Sequence, residues 1–128
     1  MILLDTCVLL WLAIEPKSLS AKAREAIAAA GEFAHVSSIS AWEIAWKERV
    51  GKLRLKLPVA AWFPLAIRQH VLSELPITSV IALRSAALPP LHRDPADRFL
   101  IATAQEYELT FLTPDPEIQK YPNLKTLW

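Results

Sequence analysis

One cysteine, Cys7, is all that the chain contains, which excludes an internal disulfide framework and suits a reducing compartment. Hydrophobic runs are short, and none approaches the roughly 18 uninterrupted apolar residues that a membrane helix requires. An excess of charge of either sign is also missing: 14 Lys and Arg stand against 13 Asp and Glu, for a net charge of +1. That balance excludes a protein that coats nucleic acid stoichiometrically, so any such contact must use a local basic patch. Glycine occurs only twice, and the chain has no internal repeat, low-complexity tract or linker. No basic region precedes the apolar stretches Met1–Leu4 and Val8–Ile14, so a signal peptide is not expected. A soluble, cytoplasmic protein with no membrane partner is the expectation.

What is present suits one domain over residues 1–128, with 53% hydrophobic residues to fill its core. Ile2–Leu4 reads as a buried strand and Thr6–Ala13 as a helix that follows it at once. Ser20 caps a helix over Ala21–Ala30, which Gly31 closes. Phe33–Val36 is a second strand. Ser37 and Ser38 offer caps for a third helix, in which Ile39, Trp42, Trp46 and Val50 form an apolar stripe, and Gly51 ends it. Lys52–Leu57 alternates basic and apolar residues, as an extended segment or edge strand would. Pro58–Leu72 reads as helical despite Pro64, Leu75–Ile77 as a third strand, and Val80–Leu88 as a helix. After a loop at Pro89–Arg93, Asp94 caps a helix with Pro95 at its first position, reaching about Glu108. Thr110–Leu112 is a fourth strand, Pro116–Lys120 a short helix and Lys125–Leu127 a fifth strand. Short apolar strands alternating with helices predict an α/β fold, a parallel sheet covered by helices on both faces. Ligands of such sheets bind beyond the carboxyl ends of the strands.

The acids fall at that edge. Asp5 ends the first strand, Asp115 follows the fourth, Glu43 lies early in the third helix, and Asp94 and Asp97 open the helix before the fourth strand. Clustered carboxylates repel one another, and burial disfavours their charged forms further. A divalent cation would neutralise them, and oxygen donors suit Mg²⁺ or Mn²⁺. A cation so held acidifies water and offsets charge on a phosphate under attack, which points to phosphodiester hydrolysis. Each acid has a plainer reading. Asp5 could cap the following helix, Ser40 and Glu43 match a capping box, and Glu43 could pair with Lys47. Asp94 suits a cap, and Asp115 between two prolines suits a turn.

Four segments carry a resemblance. Ile2-Leu3-Leu4-Asp5-Thr6-Cys7-Val8-Leu9-Leu10-Trp11 resembles the opening of VapC-like PIN domains. Ser37-Ser38-Ile39-Ser40-Ala41-Trp42-Glu43-Ile44-Ala45-Trp46-Lys47 with Gly51-Lys52-Leu53 resembles their second motif. His92-Arg93-Asp94-Pro95-Ala96-Asp97-Arg98-Phe99-Leu100-Ile101-Ala102-Thr103-Ala104 resembles the third, and Leu112-Thr113-Pro114-Asp115 the fourth. The resemblance implies a PIN-like three-layer α/β/α fold with a five-stranded parallel sheet. It implies a Mg²⁺- or Mn²⁺-dependent endoribonuclease, a toxin that cuts tRNA or another structured RNA and inhibits translation. Its implied partners are a cognate antitoxin and a second copy of the chain. Carried over, Asp5, Glu43 and Asp97 are the core acids, Asp115 completes the site through a water, and Asp94 is a ligand or a helix cap. Thr6 and Ser40 would support the ligands through hydroxyl hydrogen bonds. Attack by water implies a 5′-phosphate and a 3′-hydroxyl.

Lys47, Arg49, Lys52, Arg54 and Lys56 form the one dense basic run, fit either to track an RNA backbone or to solvate a helix end. Arg98, beside the acids, is expected to touch a phosphate or to pair with a carboxylate. The tryptophans Trp11, Trp42, Trp46 and Trp62 are expected in the core, while the resemblance implies that some line a dimer interface or an antitoxin groove, with Trp46 and Trp62 the candidates. Cys7 is expected to be a buried thiol rather than a nucleophile, and His92 a loop-packing residue that could instead approach the mouth of the site. A haloacid-dehalogenase-like enzyme would need a second aspartate where Cys7 stands. An inert PIN-fold module that only binds a partner is the other alternative.

Overall fold

Ile2–Leu4 (β1) is buried throughout, and its side chains divide between two cores. Ile2 and Leu4 face one side and Leu3 the other, as the alternation of a strand requires. The computed structural model describes residues 1–128 and places β1 at the centre of a five-stranded parallel sheet. Its strands are completed by Ala34–Ser37 (β2), Ser73–Leu75 (β3), Thr110–Leu112 (β4) and Thr126–Leu127 (β5), in the order β3-β2-β1-β4-β5.

Six helices cover the sheet: Thr6–Ile14 (α1), Ala21–Ala30 (α2), Ser38–Arg49 (α3), Val59–Gln69 (α4), Ser79–Ala87 (α5) and Pro95–Glu106 (α6). One core joins Ile2, Leu4, Val36 and Leu112 to Val8 and Leu9 of α1, Ala23 of α2, Ile44 of α3 and Phe63 of α4. The other joins Leu3 and Phe111 to Ile81 of α5 and to Leu100 and Ile101 of α6. This is the expected three-layer α/β/α arrangement. No helix is long and apolar enough to cross a membrane.

Two features of the connections position the site. The chain leaves β1 for β2 on one side and returns to β4 on the other, so the crevice at the carboxyl ends of β1 and β4 is the switch point of the sheet. The turns from strand to helix there are also minimal. Asp5 alone separates β1 from α1 and caps it, and Ser37 both ends β2 and caps α3.

Several expected boundaries shift. Lys52–Leu57 forms no strand, since it pairs with neither edge of the sheet, and the extended-segment reading is the one that holds. Its alternation is nevertheless real: Leu53 and Leu55 pack on the core while Lys52, Arg54 and Lys56 stay exposed. The third strand ends at Leu75, before Pro76, which has no N–H for the ladder. Phe33 lies in a 3₁₀ turn ahead of β2, and only Ile118–Lys120 of the expected last helix forms a helical turn. Of the stripe expected on α3 only Ile39 packs on a core, while Trp42, Trp46 and Val50 are all exposed and Ile44 makes the fully buried apolar contact.

Phe111 is fully buried between the layers, whereas Leu83 is 73% exposed. Phe111→Ala is expected to cost about 3–5 kcal/mol and Leu83→Ala no more than ~0.5 kcal/mol in urea unfolding. Equal losses would contradict this assignment of the core.

Candidate active site

Five carboxylates line one cleft of about 340 Å³ at the switch point: Asp5, Glu43, Asp94, Asp97 and Asp115. Lys47 is the one cation on its wall, beside Thr6, Cys7, Pro114 and Pro116.

Asp5 is held from two sides. Its Oδ1 accepts from the Thr6 backbone N–H at 2.7 Å, the helix-capping bond. Its Oδ2 accepts from the Thr113 hydroxyl at 2.7 Å, and Thr113 Oγ1 in turn accepts the Asp115 N–H at 3.1 Å. Thr6 performs the matching task for Glu43. Its hydroxyl donates to Glu43 Oε1 at 2.5 Å, so its 2.8 Å contact with Ser40 must have Ser40 as donor, because a hydroxyl carries one proton. The capping-box reading of Ser40 and Glu43 fails, since α3 starts at Ser38 and its cap is Ser37. Glu43 and Lys47 do not form an ion pair either.

Asp94 caps α6, accepting from Ala96 N–H at 2.9 Å, yet its carboxylate also faces the cleft. Donor atoms of Glu43, Asp94 and Asp97 lie within 4.8 Å of one another, and so do those of His92, Asp97 and Asp115. Asp97 is common to both groups, and Asp5 joins neither.

His92, expected first as a loop-packing residue and only second at the mouth of the site, is a member of it. Its Nε2 lies 3.1 Å from Asp97 Oδ2 and 3.3 Å from Asp115 Oδ2. Its Nδ1 accepts the Asp94 N–H at 3.2 Å, which places the ring proton on Nε2, facing the two acids. Thr113 was missed. The signal available for both was position, His92 two residues before Asp94 and Thr113 directly after β4, but neither residue type announces itself there.

Arg98 departs from expectation. Its guanidinium donates to the carbonyls of Ser85 (2.9 Å), Leu88 (2.8 Å), Pro89 (2.9 Å) and His92 (3.1 Å). It therefore pins the 85–92 segment, which carries His92, and has no terminal nitrogen directed at a phosphate or a carboxylate. Lys47 does lie at the cleft, and Lys52 lines the groove beside it.

The electrostatics follow from burial and like charge. Desolvation raises the carboxyl of Asp5 above its ordinary value, against the lowering effect of the Thr113 and Thr6 bonds. Burial likewise raises Glu43, opposed by the Thr6 hydroxyl. Asp97 is pushed up to about 7 by burial and then by Asp5, Asp94 and Glu43, with His92 working the other way. The Cys7 thiol is pushed up to about 12, chiefly by burial, so it is protonated at neutral pH and is no nucleophile. Five acids facing a single lysine, with oxygen donors plus one imidazole, fit a hard divalent cation. The imidazole suits Mn²⁺ as well as the carboxylates suit Mg²⁺.

Residues 2–124 match the family model described as "PIN domain". The chain is 36% identical over 130 aligned positions to Ribonuclease VapC22 of Mycobacterium tuberculosis (strain ATCC 25618 / H37Rv), covering 99% of this chain and 98% of that one. Among solved structures it is similar to VapBC2 from Rickettsia felis bound to a promoter DNA fragment, with TM-score 0.74, 15% identity and coverage of 99% and 98%. It is also similar to a toxin–antitoxin complex from Klebsiella pneumoniae, with TM-score 0.68, 21% identity and coverage of 100% and 97%.

Between about pH 4 and pH 7 native Asp97 holds a proton that the unfolded chain has released. Stability of the metal-free protein therefore falls as pH rises through that window. His70, whose value burial lowers, acts in the opposite sense. The comparison of wild type with Asp97→Asn isolates the acid: the variant is expected to melt higher near pH 8, with the advantage vanishing toward about pH 4. A variant no more stable than wild type at the upper pH would show that the acids do not strain the fold. Arg98→Ala is expected to cost about 2 kcal/mol, and Arg98→Lys to rescue little because an ammonium cannot fork to several carbonyls. Thermal unfolding at fixed pH checks both, and full rescue by lysine would contradict the clamp.

Proposed function

The chain belongs to the PIN-domain family, and from that premise we propose that it is a divalent-cation-dependent endoribonuclease, the toxin of a VapBC-type pair. The observation that carries the reading is the convergence of acids from four separate parts of the chain on one cleft with a single cation on its wall. The relative named a ribonuclease spans nearly the whole chain, which supports the activity.

Asp5, Glu43 and Asp97 would hold Mg²⁺ or Mn²⁺, with Asp94, Asp115 and His92 at the margin. When bound, the cation would acidify a water and offset the charge that develops on the phosphate. The chain's own residues supply orientation. Thr113 and the Thr6 N–H fix both oxygens of Asp5, and the Ser40-to-Thr6-to-Glu43 relay fixes Glu43. These donors oppose the rise that burial imposes on the two carboxyls and aim them before any ligand arrives. Asp97, raised to about 7 while the cleft is metal-free, would release its proton on taking the cation, and the His92 Nε2–H facing it steadies the resulting carboxylate. Lys47, on the wall of the cleft, and Lys52, in the groove beside it, would hold phosphates of the strand. Attack by water on phosphorus would leave a 5′-phosphate and a 3′-hydroxyl.

The solved neighbours are toxin–antitoxin complexes, which supports a cognate antitoxin as the partner that silences this chain. We extend the reading to a tRNA or another structured RNA as substrate, arrest of translation as the outcome, and a homodimer as the working form.

Purified wild type is expected to cut total cellular RNA into discrete fragments in Mn²⁺, with cleavage abolished by EDTA. Asp5→Asn should lower the rate on the order of 100-fold or more. Intact RNA together with retained Mn²⁺ binding would narrow the substrate. Neither binding nor cleavage would favour the inert binding module.

A further inference from the structure

Trp42 and Trp46 stand on successive turns of α3, 57% and 51% exposed, although tryptophan is a side chain that folding normally covers. Their rings are parallel to within 2°, with centroids 6.1 Å apart. Packing does not require them there, because Ile44 makes the fully buried contact of this helix. The two rings instead wall a groove of about 240 Å³ with Glu43, Lys47, Lys52 and Asp94. Glu43, Lys47 and Asp94 line the acidic cleft as well, so the groove adjoins it.

We propose that this groove is a stacking site for one unpaired base of the RNA strand, next to the phosphodiester that is cut. The inference rests on the nuclease reading above and adds the form of RNA accepted. A nucleotide presents a flat aromatic face and an anionic phosphate, and the groove presents two parallel indoles and two lysines beside the acids. Lys52 is held beside Lys47 by the turn that ends α3, where the Lys52 N–H meets the Lys47 carbonyl at 2.9 Å. An apolar protein segment would cover the rings but leave both lysines unmatched. Bases within a duplex have both faces occupied, so the site takes a loop, a bulge or an end whose base is splayed out. Every base has such a face, so the groove selects unpaired over paired nucleotides rather than one base over another.

The test compares binding of two dye-labelled, phosphorothioate-linked probes to the full chain: a single-stranded oligoribonucleotide and an abasic ribose-phosphate strand of equal length. The bases should improve wild-type affinity about tenfold or more, and Trp42→Leu with Trp46→Leu should reduce that advantage to about twofold or less. Phenylalanine at both positions should retain most of it. Cleavage of an unmodified oligoribonucleotide by the leucine variant should show a raised KM with kcat little changed. Because both rings are exposed, the variant should melt with the wild type. A leucine variant that keeps the full base-dependent advantage overturns the inference while leaving the nuclease reading intact. So does one that cuts RNA normally but no longer forms a dimer or an antitoxin complex, which would assign the rings to a protein partner. A wild type that neither binds nor cuts RNA overturns the nuclease reading, and this inference falls with it.

Discussion

Negative charge gathered in a partly buried cleft is the condition around which the rest of this molecule is arranged. Asp5, Glu43 and Asp97 are each raised by burial, and Asp97 feels three neighbouring acids besides. A folded chain left to minimise its own energy would disperse such groups, because desolvation and repulsion both oppose their charged forms. Here they are held together by short, specific donors. Thr113 and the Thr6 N–H hold Asp5, and the Thr6 hydroxyl holds Glu43. The two threonines play equivalent parts, each receiving a hydrogen bond from one side of the cleft and passing one to an acid.

The fold makes that gathering possible through its switch point. Because β2 and β4 flank β1 on opposite sides, the carboxyl ends of β1 and β4 open a crevice, and residues just past them meet there. Immediate strand-to-helix turns then leave Asp5 and the first turns of α1 and α3 at the same edge. Across the sheet, Arg98 anchors the 85–92 segment by its carbonyls, so the loop that delivers His92 has a fixed course. A basic residue beside an acidic site thus acts on the loop's geometry rather than on the anion. The side of α3 away from the core carries the paired tryptophans, so one helix contributes both an acid of the cleft and the aromatic wall beside it.

Much of the architecture was legible in the residues. Ile2–Leu4 and Thr110–Leu112 are apolar throughout because their strands are covered on both faces, and a run of that kind is visible in one dimension. Caps are equally local: Asp5, Ser20 and Asp94 bond to N–H groups one to three residues on, so type and position suffice. Asp5, Asp97 and Asp115 were visible for the same reason, since each falls at or just past an end of a recognisable element, whereas Glu43 lies in the middle of α3 and was visible through the motif around it. The alternation of Lys52–Leu57 was visible too, but strand formation needs a partner, and no local pattern says whether an edge is free.

What the sequence by itself determined is thus the order of strands and helices, their caps, and the edge at which the acids collect. All of these depend on hydrophobic period and on neighbours a few residues away. Only the tertiary structure decided that Thr113 holds Asp5 across 108 positions, that His92 bridges Asp97 and Asp115, and that Arg98 faces a loop. It also decided that the tryptophan stripe of α3 looks outward while Ile44 looks in. A helical period marks a stripe of apolar residues without saying which side of the helix meets the sheet. A hydroxyl, an imidazole or a guanidinium, for its part, has no fixed partner until packing brings distant segments within about 3 Å of it.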